Sequence, residues 1–62
     1  MTTEILLNLT EVAQRLRIPV ATLRHWRATY YGPRGFKVGR RVLFTESEVN
    51  RWVVEQQHKA SA

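Results

Sequence analysis

The run Leu9-Thr10-Glu11-Val12-Ala13-Gln14-Arg15-Leu16-Arg17-Ile18-Pro19-Val20-Ala21-Thr22-Leu23-Arg24-His25-Trp26-Arg27-Ala28 decides the fold. Leu9, Val12, Ala13 and Leu16 recur at helical spacing and make one apolar stripe, with Glu11, Gln14, Arg15 and Arg17 mainly outside it. Asn8, followed three places later by Glu11, is a capping-box arrangement in which Asn replaces the usual Ser or Thr. The spacing predicts a first helix over about Leu9–Leu16. Pro19 lacks an N–H and restricts the residue before it, so the helix cannot pass it; the same residue suits the start of a second helix over about Val20–Ala28. There Leu23 and Trp26, three apart, form the buried side. Val20, Ala21, Arg24, Arg27 and Ala28 cluster opposite, with Thr22 and His25 at the margins. Two short helices joined by a tight turn, the second with a cationic outer face, describe a helix-turn-helix.

Downstream, Tyr30-Tyr31-Gly32-Pro33-Arg34-Gly35 is a loop punctuated by two glycines and a proline. Phe36-Lys37-Val38-Gly39-Arg40-Arg41-Val42-Leu43-Phe44 then reads as a hairpin, with Phe36 and Val38 inward on one arm and Val42 and Phe44 inward on the other. Two turns fit: a two-residue type II′ turn with Gly39 first, or a three-residue turn through Gly39, Arg40 and Arg41 that pairs Val38 with Val42. Both leave Arg40 and Arg41 at the tip. Thr45, with Glu48 three residues on, opens a third helix as a second capping box. Val49, Trp52 and Val53 form its apolar face, Glu46, Asn50, Arg51 and Gln57 its wet one, and it frays by His58.

The expected organisation is an N-terminal arm over 1–7, a winged helix-turn-helix over 8–57 and a polar tail over 58–62. Ile5, Leu6 and Leu7 offer a way for the arm to dock, whereas Thr2 and Thr3 offer nothing to hold its tip. The fold class is α+β and mainly helical: three helices and a β-hairpin wing. Sixty-two residues make at most one domain, and without cysteine neither disulfides nor thiolate metal sites can supplement its core. Leu9, Val12, Leu16, Ile18, Leu23, Trp26, Phe36, Val38, Val42, Phe44, Val49 and Trp52 are therefore expected to hold it, both tryptophans included.

Ten Lys plus Arg stand against five Asp plus Glu, a net charge of +5, with a pI near 10.8. Eight of the ten cations are arginines, whose planar forks suit phosphate and guanine. That balance points to nucleic acid. A membrane role is disfavoured, because no long stretch sets arginines against bulky apolar residues and no segment approaches the roughly 20 apolar residues of a span. The N-terminus lacks a secretory pattern, and a cytoplasmic location is expected.

The inventory offers nothing to an enzyme. His25 and His58 are the only histidines and Ser47 and Ser61 the only serines, with no aspartate or cysteine. No carboxylate pair or metal-ligand spacing accompanies either histidine, and Gly32, Gly35 and Gly39 are spaced for turns rather than for a nucleotide's phosphates. No catalytic residue, metal, cofactor or small-molecule ligand is expected. What remains is recognition of double-stranded DNA, whose major groove admits one helix. Val20, Ala21, Thr22, Arg24, His25 and Arg27 are the candidates there: the arginines for guanine or bordering phosphates, the small residues for close approach, His25 for a phosphate. Gly39, Arg40 and Arg41 form a wing tip suited to a phosphate backbone or narrowed minor groove, with Lys37 and Arg34 extending the band.

With these elements in order, the segments Leu9–Leu16, Ile18–Trp26 and Phe36–Phe44 resemble the excisionase-type helix-turn-helix family, relatives of the MerR-type winged helices. The match spans about residues 8 to 54, and Lys37-Val38-Gly39-Arg40-Arg41 followed by an apolar strand and a capped helix is its most specific piece. Two departures stand out: Pro19 replaces a serine-like cap before the second helix, and Arg17 occupies the position where a glycine commonly closes the first. The resemblance implies a recombination directionality factor of a phage or mobile element. Such proteins bind adjacent attachment-region sites, often cooperatively, bend the DNA and turn an integrase towards excision. Others in the family are small transcriptional regulators of the prophage-regulator type. Head-to-tail self-association on DNA, through Ile5–Leu7 or the chain beyond Trp52, is expected because no heptad helix offers a stable dimer.

Overall fold

The computed structural model describes residues 4–61, so the expectation for Thr2 and Thr3 lies outside the described residues. The element order is β1 (Leu6–Asn8), α1 (Leu9–Leu16), α2 (Val20–Ala28), β2 (Phe36–Val38), β3 (Arg41–Thr45) and α3 (Glu46–Ser61). Three helices and a wing give the expected winged helix-turn-helix. The first two helices have the predicted bounds. The Asn8 side chain accepts from the Glu11 N–H at 2.8 Å, and the Glu11 carboxylate accepts from the Asn8 N–H at 2.9 Å, so both halves of the capping box are present.

Both helices of the pair end in the same way, on a residue that is not glycine. Arg17 is left-handed (φ 57°, ψ 42°), with Ile18 N–H donating to the Ala13 carbonyl and Arg17 N–H to that of Gln14. Tyr30 (φ 57°) repeats this after α2: Tyr31 N–H donates to the Trp26 carbonyl at 2.8 Å and Tyr30 N–H to that of Arg27. These are Schellman closures, in which the left-handed slot usually belongs to glycine. A side chain there costs about 1–2 kcal/mol. Arg17 thus keeps the turn geometry that a glycine would give.

The sheet has the order β1-β3-β2, all antiparallel. Residues Leu6–Asn8 are therefore a strand rather than a loose arm, with Leu7 opposite Phe44 and buried. Three residues are too few to declare a strand by alternation, but Leu7 gains a core position by pairing. Asn8 ends this strand and caps α1, joining sheet and helix at one residue.

The wing turn is the two-residue alternative, because Val38 pairs with Arg41 and Lys37 with Val42. Gly39 has φ +61° and Arg40 is not among the positive-φ residues, the φ pattern of a type II′ turn. This register corrects the expected wing. Directly paired residues share a face, so Val38 and Phe36 lie with Arg41 and Leu43, opposite the face of Val42 and Phe44. Phe36 and Val38 are accordingly exposed, and only Arg40 sits within the turn, Arg41 being the first residue of β3. Inward Val38 and Val42 together needed the three-residue turn.

The core is Leu7, Val12, Ala13, Leu23, Phe44 and Val49, with Leu9, Leu16, Ile18, Val20, Trp26 and Val42 partly buried against it. Full burial of side chains such as Phe44 and Leu23 stabilises by about 1.5–3 kcal/mol each. The tryptophans lie at the margin of this core, half-buried, in a cluster with Tyr31: ring centroids are 4.9 Å apart for Trp26–Tyr31, 5.6 Å for Trp26–Trp52 and 5.9 Å for Tyr31–Trp52. α3 starts on Thr45, whose hydroxyl accepts from the Glu48 N–H at 3.3 Å. The reciprocal half of that box is not formed, because the Glu48 carboxylate is held by Arg51. The helix runs on past His58 to Ser61, since Lys59 and Ala60 are good helix formers and no glycine or proline stops it.

Candidate nucleic-acid interface

The second helix projects one exposed face made of Ala21, Arg24, His25 and Ala28. His25, expected at the margin, lies within it. Val20 does not: it is half-buried and packs against the core, which corrects its assignment to the outer side. The reason is helical phase, because Val20 stands one turn before Leu23, which is fully buried. Thr22 is half-buried on the other flank.

Arg27 also departs from a simple surface position. It is half-buried, with its guanidinium carbon 5.9 Å from the centroid of the buried Phe44 ring. A Cβ added to Gly35 would come within 3.0 Å of an Arg27 guanidinium nitrogen and within 2.8 Å of the Phe44 ring. Only glycine lets the chain before β2 pass so close to both.

Helix and wing meet at a hollow of about 440 Å³, whose walls include Asn8 and Thr10 from the start of α1, Arg24 and Arg27 from α2, and Arg40 and Arg41 from the wing. Four of the predicted cations therefore border a single concavity. The α1 wall was not anticipated; Asn8 was legible as a cap but not as a neighbour of the wing. Lys37 is exposed opposite Val42, on the sheet face to which that hollow's Val42 belongs, and does not itself line it. Gly39 stands clear of other atoms, with nothing within 4 Å of a Cβ placed on it.

The carboxylates are drawn into contacts around α1 and α3. Arg15 holds Glu46 at 2.8 Å, and Arg51 holds both Glu48 and Glu55. The Glu48 hydrogen bond, then its charge, raises the Arg51 pKa above its ordinary value, with a smaller contribution from Glu55. Glu11 is committed to its capping box and Glu4 to the Ser47 hydroxyl. Among the described residues, Arg24, Arg27, Arg34, Lys37, Arg40 and Arg41 have no carboxylate partner, and neither do Arg17 after α1 and Lys59 on α3. With the carboxylates engaged there, the four arginines around the hollow between α2 and the wing are left without compensating charge. Such a surface attracts polyanions.

Among the described residues no helix is long and apolar enough to cross a membrane, and no group of three or more His, Asp or Glu side chains comes together. Comparison with curated proteins and with solved structures finds no match. A family model described as a helix-turn-helix domain matches residues 6–57, taking in every strand and the first twelve residues of α3. This family is typical of excisionase-like small DNA-binding proteins. Geometry, charge and that match converge: the chain belongs to the helix-turn-helix domain family, and this membership indicates DNA binding.

Proposed function

We propose that the chain is an excisionase-type, sequence-specific DNA-binding protein. It acts in the cytoplasm on adjacent sites of an attachment region, bends the DNA there and directs an integrase towards excision. The observation that carries this reading is the convergence of Arg24, Arg27, Arg40 and Arg41, all without carboxylate partners, on the hollow between α2 and the wing. In this reading Ala21, Arg24 and His25 enter the major groove, and Gly39 to Arg41 follow the flanking backbone or minor groove.

A single module of this kind covers only about 600–1,000 Å² of DNA-contacting surface. Useful affinity then calls for neighbouring copies on adjacent sites. The exposure of Ile5 and Leu6 near the chain start and of Val54 on α3 supports head-to-tail contacts between bound copies.

The test has two stages. Binding to a labelled duplex, followed over a range of salt, should give a log–log slope of about −4 to −5 per protomer if four to six cations meet phosphates. A slope near zero removes the electrostatic basis. A recombination assay on attachment-site plasmids with the integrase encoded beside the gene should then show excision raised and integration lowered. Repression of a neighbouring promoter without any effect on excision would identify a small transcriptional regulator instead.

A further inference from the structure

We infer that the loop between α2 and β2 carries a phosphate-binding pocket of its own, formed by Arg27, Tyr30 and Arg34, which adds a backbone contact beyond the recognition helix and the wing. The inference rests on the DNA-binding reading above and deepens it.

Tyr30 is the first observation. It is 99% exposed and stands in the left-handed slot of the closure after α2, where glycine would be unstrained. It does nothing for packing. The apolar contact that accompanies such a closure is made by its neighbour, Tyr31, against Trp26. The fold therefore keeps an aromatic side chain at a position that disfavours it, and displays nearly all of that side chain to solvent. Residues held in unfavourable backbone conformations cluster where a side chain is needed for binding.

The second observation is what surrounds it. Arg27, Tyr30 and Arg34 line a hollow of about 460 Å³, floored by the Gly32–Gly35 segment. Neither arginine has a carboxylate partner among the described residues. Tyr30 and Arg34 also line a second hollow, shared with Glu48 and Glu55, but Arg51 already holds both of those carboxylates. Two guanidinium groups and a phenol hydroxyl, all donors, suit a phosphodiester oxygen pair.

Continuity is the third. Arg27 lines this hollow and the hollow between α2 and the wing as well. A backbone followed past Arg40, Arg41 and Arg24 thus reaches Arg27, from which Tyr30 and Arg34 are the next donors.

Phosphate contacts are indifferent to sequence, so a labelled, mixed-sequence 20-base-pair duplex serves as the probe. Binding is read by anisotropy over a range of salt for the full chain and its variants. Arg34→Ala should weaken binding about fivefold and make the log–log salt slope shallower by about 0.9, one phosphate's share. Tyr30→Phe should weaken binding with the slope unchanged, because it removes a hydroxyl and no charge. Tyr30→Gly should raise the thermal midpoint while weakening binding, a combination that a merely structural tyrosine would not give. If Arg34→Ala and Tyr30→Phe both bind like the parent while Arg41→Ala does not, the loop pocket is refuted and the helix–wing reading stands. If the parent chain fails to bind the duplex at all, both fall together.

Discussion

The Arg27 guanidinium lies over the ring of Phe44, 5.9 Å from its centroid, and Phe44 is wholly buried. One side chain of the second helix thereby braces the wing's central strand and borders the hollow facing the proposed DNA site. Cation–π contact and the packed stem together are worth about 1–2 kcal/mol in such a half-buried setting. Arg27→Ala is expected to lower both stability and DNA affinity. Arg27→Met, which keeps the stem, should recover much of the stability and none of the affinity. Urea denaturation and duplex anisotropy on the same two variants separate these effects.

Arg24 and Arg41 stand on different elements beside one hollow, and their replacement should differ in kind. Arg24→Ala on the recognition helix should relax sequence preference by about 1–3 kcal/mol of discrimination. Arg41→Ala, at the base of the wing turn, should weaken all sequences about equally. Binding selection from a random duplex pool, run on both variants, distinguishes the outcomes; the opposite assignment would show that the contact surfaces are exchanged.

Gly35 faces the Phe44 ring, Arg27 and the Leu43 carbonyl, each within 3.0 Å of where a Cβ would sit. Backbone on one side and a fully buried ring on another leave little to yield. Gly35→Ala should therefore cost about 1–3 kcal/mol by urea denaturation. An unchanged midpoint would mean that this crossing is looser than the distances describe.

Arg17 is left-handed at the closure of α1, exposed, and without an ion-pair partner among the described residues. Arg17→Gly should relieve the strain, offset in part by the extra freedom of an unfolded glycine, for a net gain of about 0.5–1 kcal/mol. In a domain of this size that is a rise of about 2–8 °C in melting temperature, readable by circular dichroism.

The helix pair was legible because its punctuation is chemical. Asn8 with Glu11 marks one start, and Pro19 marks a stop and a restart, so the approximate spans read from them agree with the helices formed. The wing was legible as a hairpin but not in its facing. Phe36, Val38, Val42 and Phe44 are all apolar, and a turn of two residues or three decides which of them share a side. Alternation cannot count turn residues when glycine is followed by two arginines. The first strand was hidden for a different reason: Leu6–Asn8 is too short to carry a period, and its partner, β3, comes only after both helices and β2. The left-handed closures were hidden because arginine and tyrosine carry no signal for positive φ. Of the candidate positions, the exposure of Arg24 followed from helical phase, whereas Val20 and Arg27, seven apart on one side of the helix, are both half-buried because the buried arc centres on Leu23 and reaches a full turn either way.

Leu7 and Phe44 close a ring that contains both helices and the whole wing. Contacts between such distant positions are the slow ones to form, since the intervening chain must first be brought round. Both helices precede Phe44 in the chain, so a stretch that ends before it has a recognition helix but no wing base against which to set it. On the DNA-binding reading, a chain lacking β3 has no wing side to the hollow that Arg24 and Arg27 border, so binding is expected only once that strand is in place.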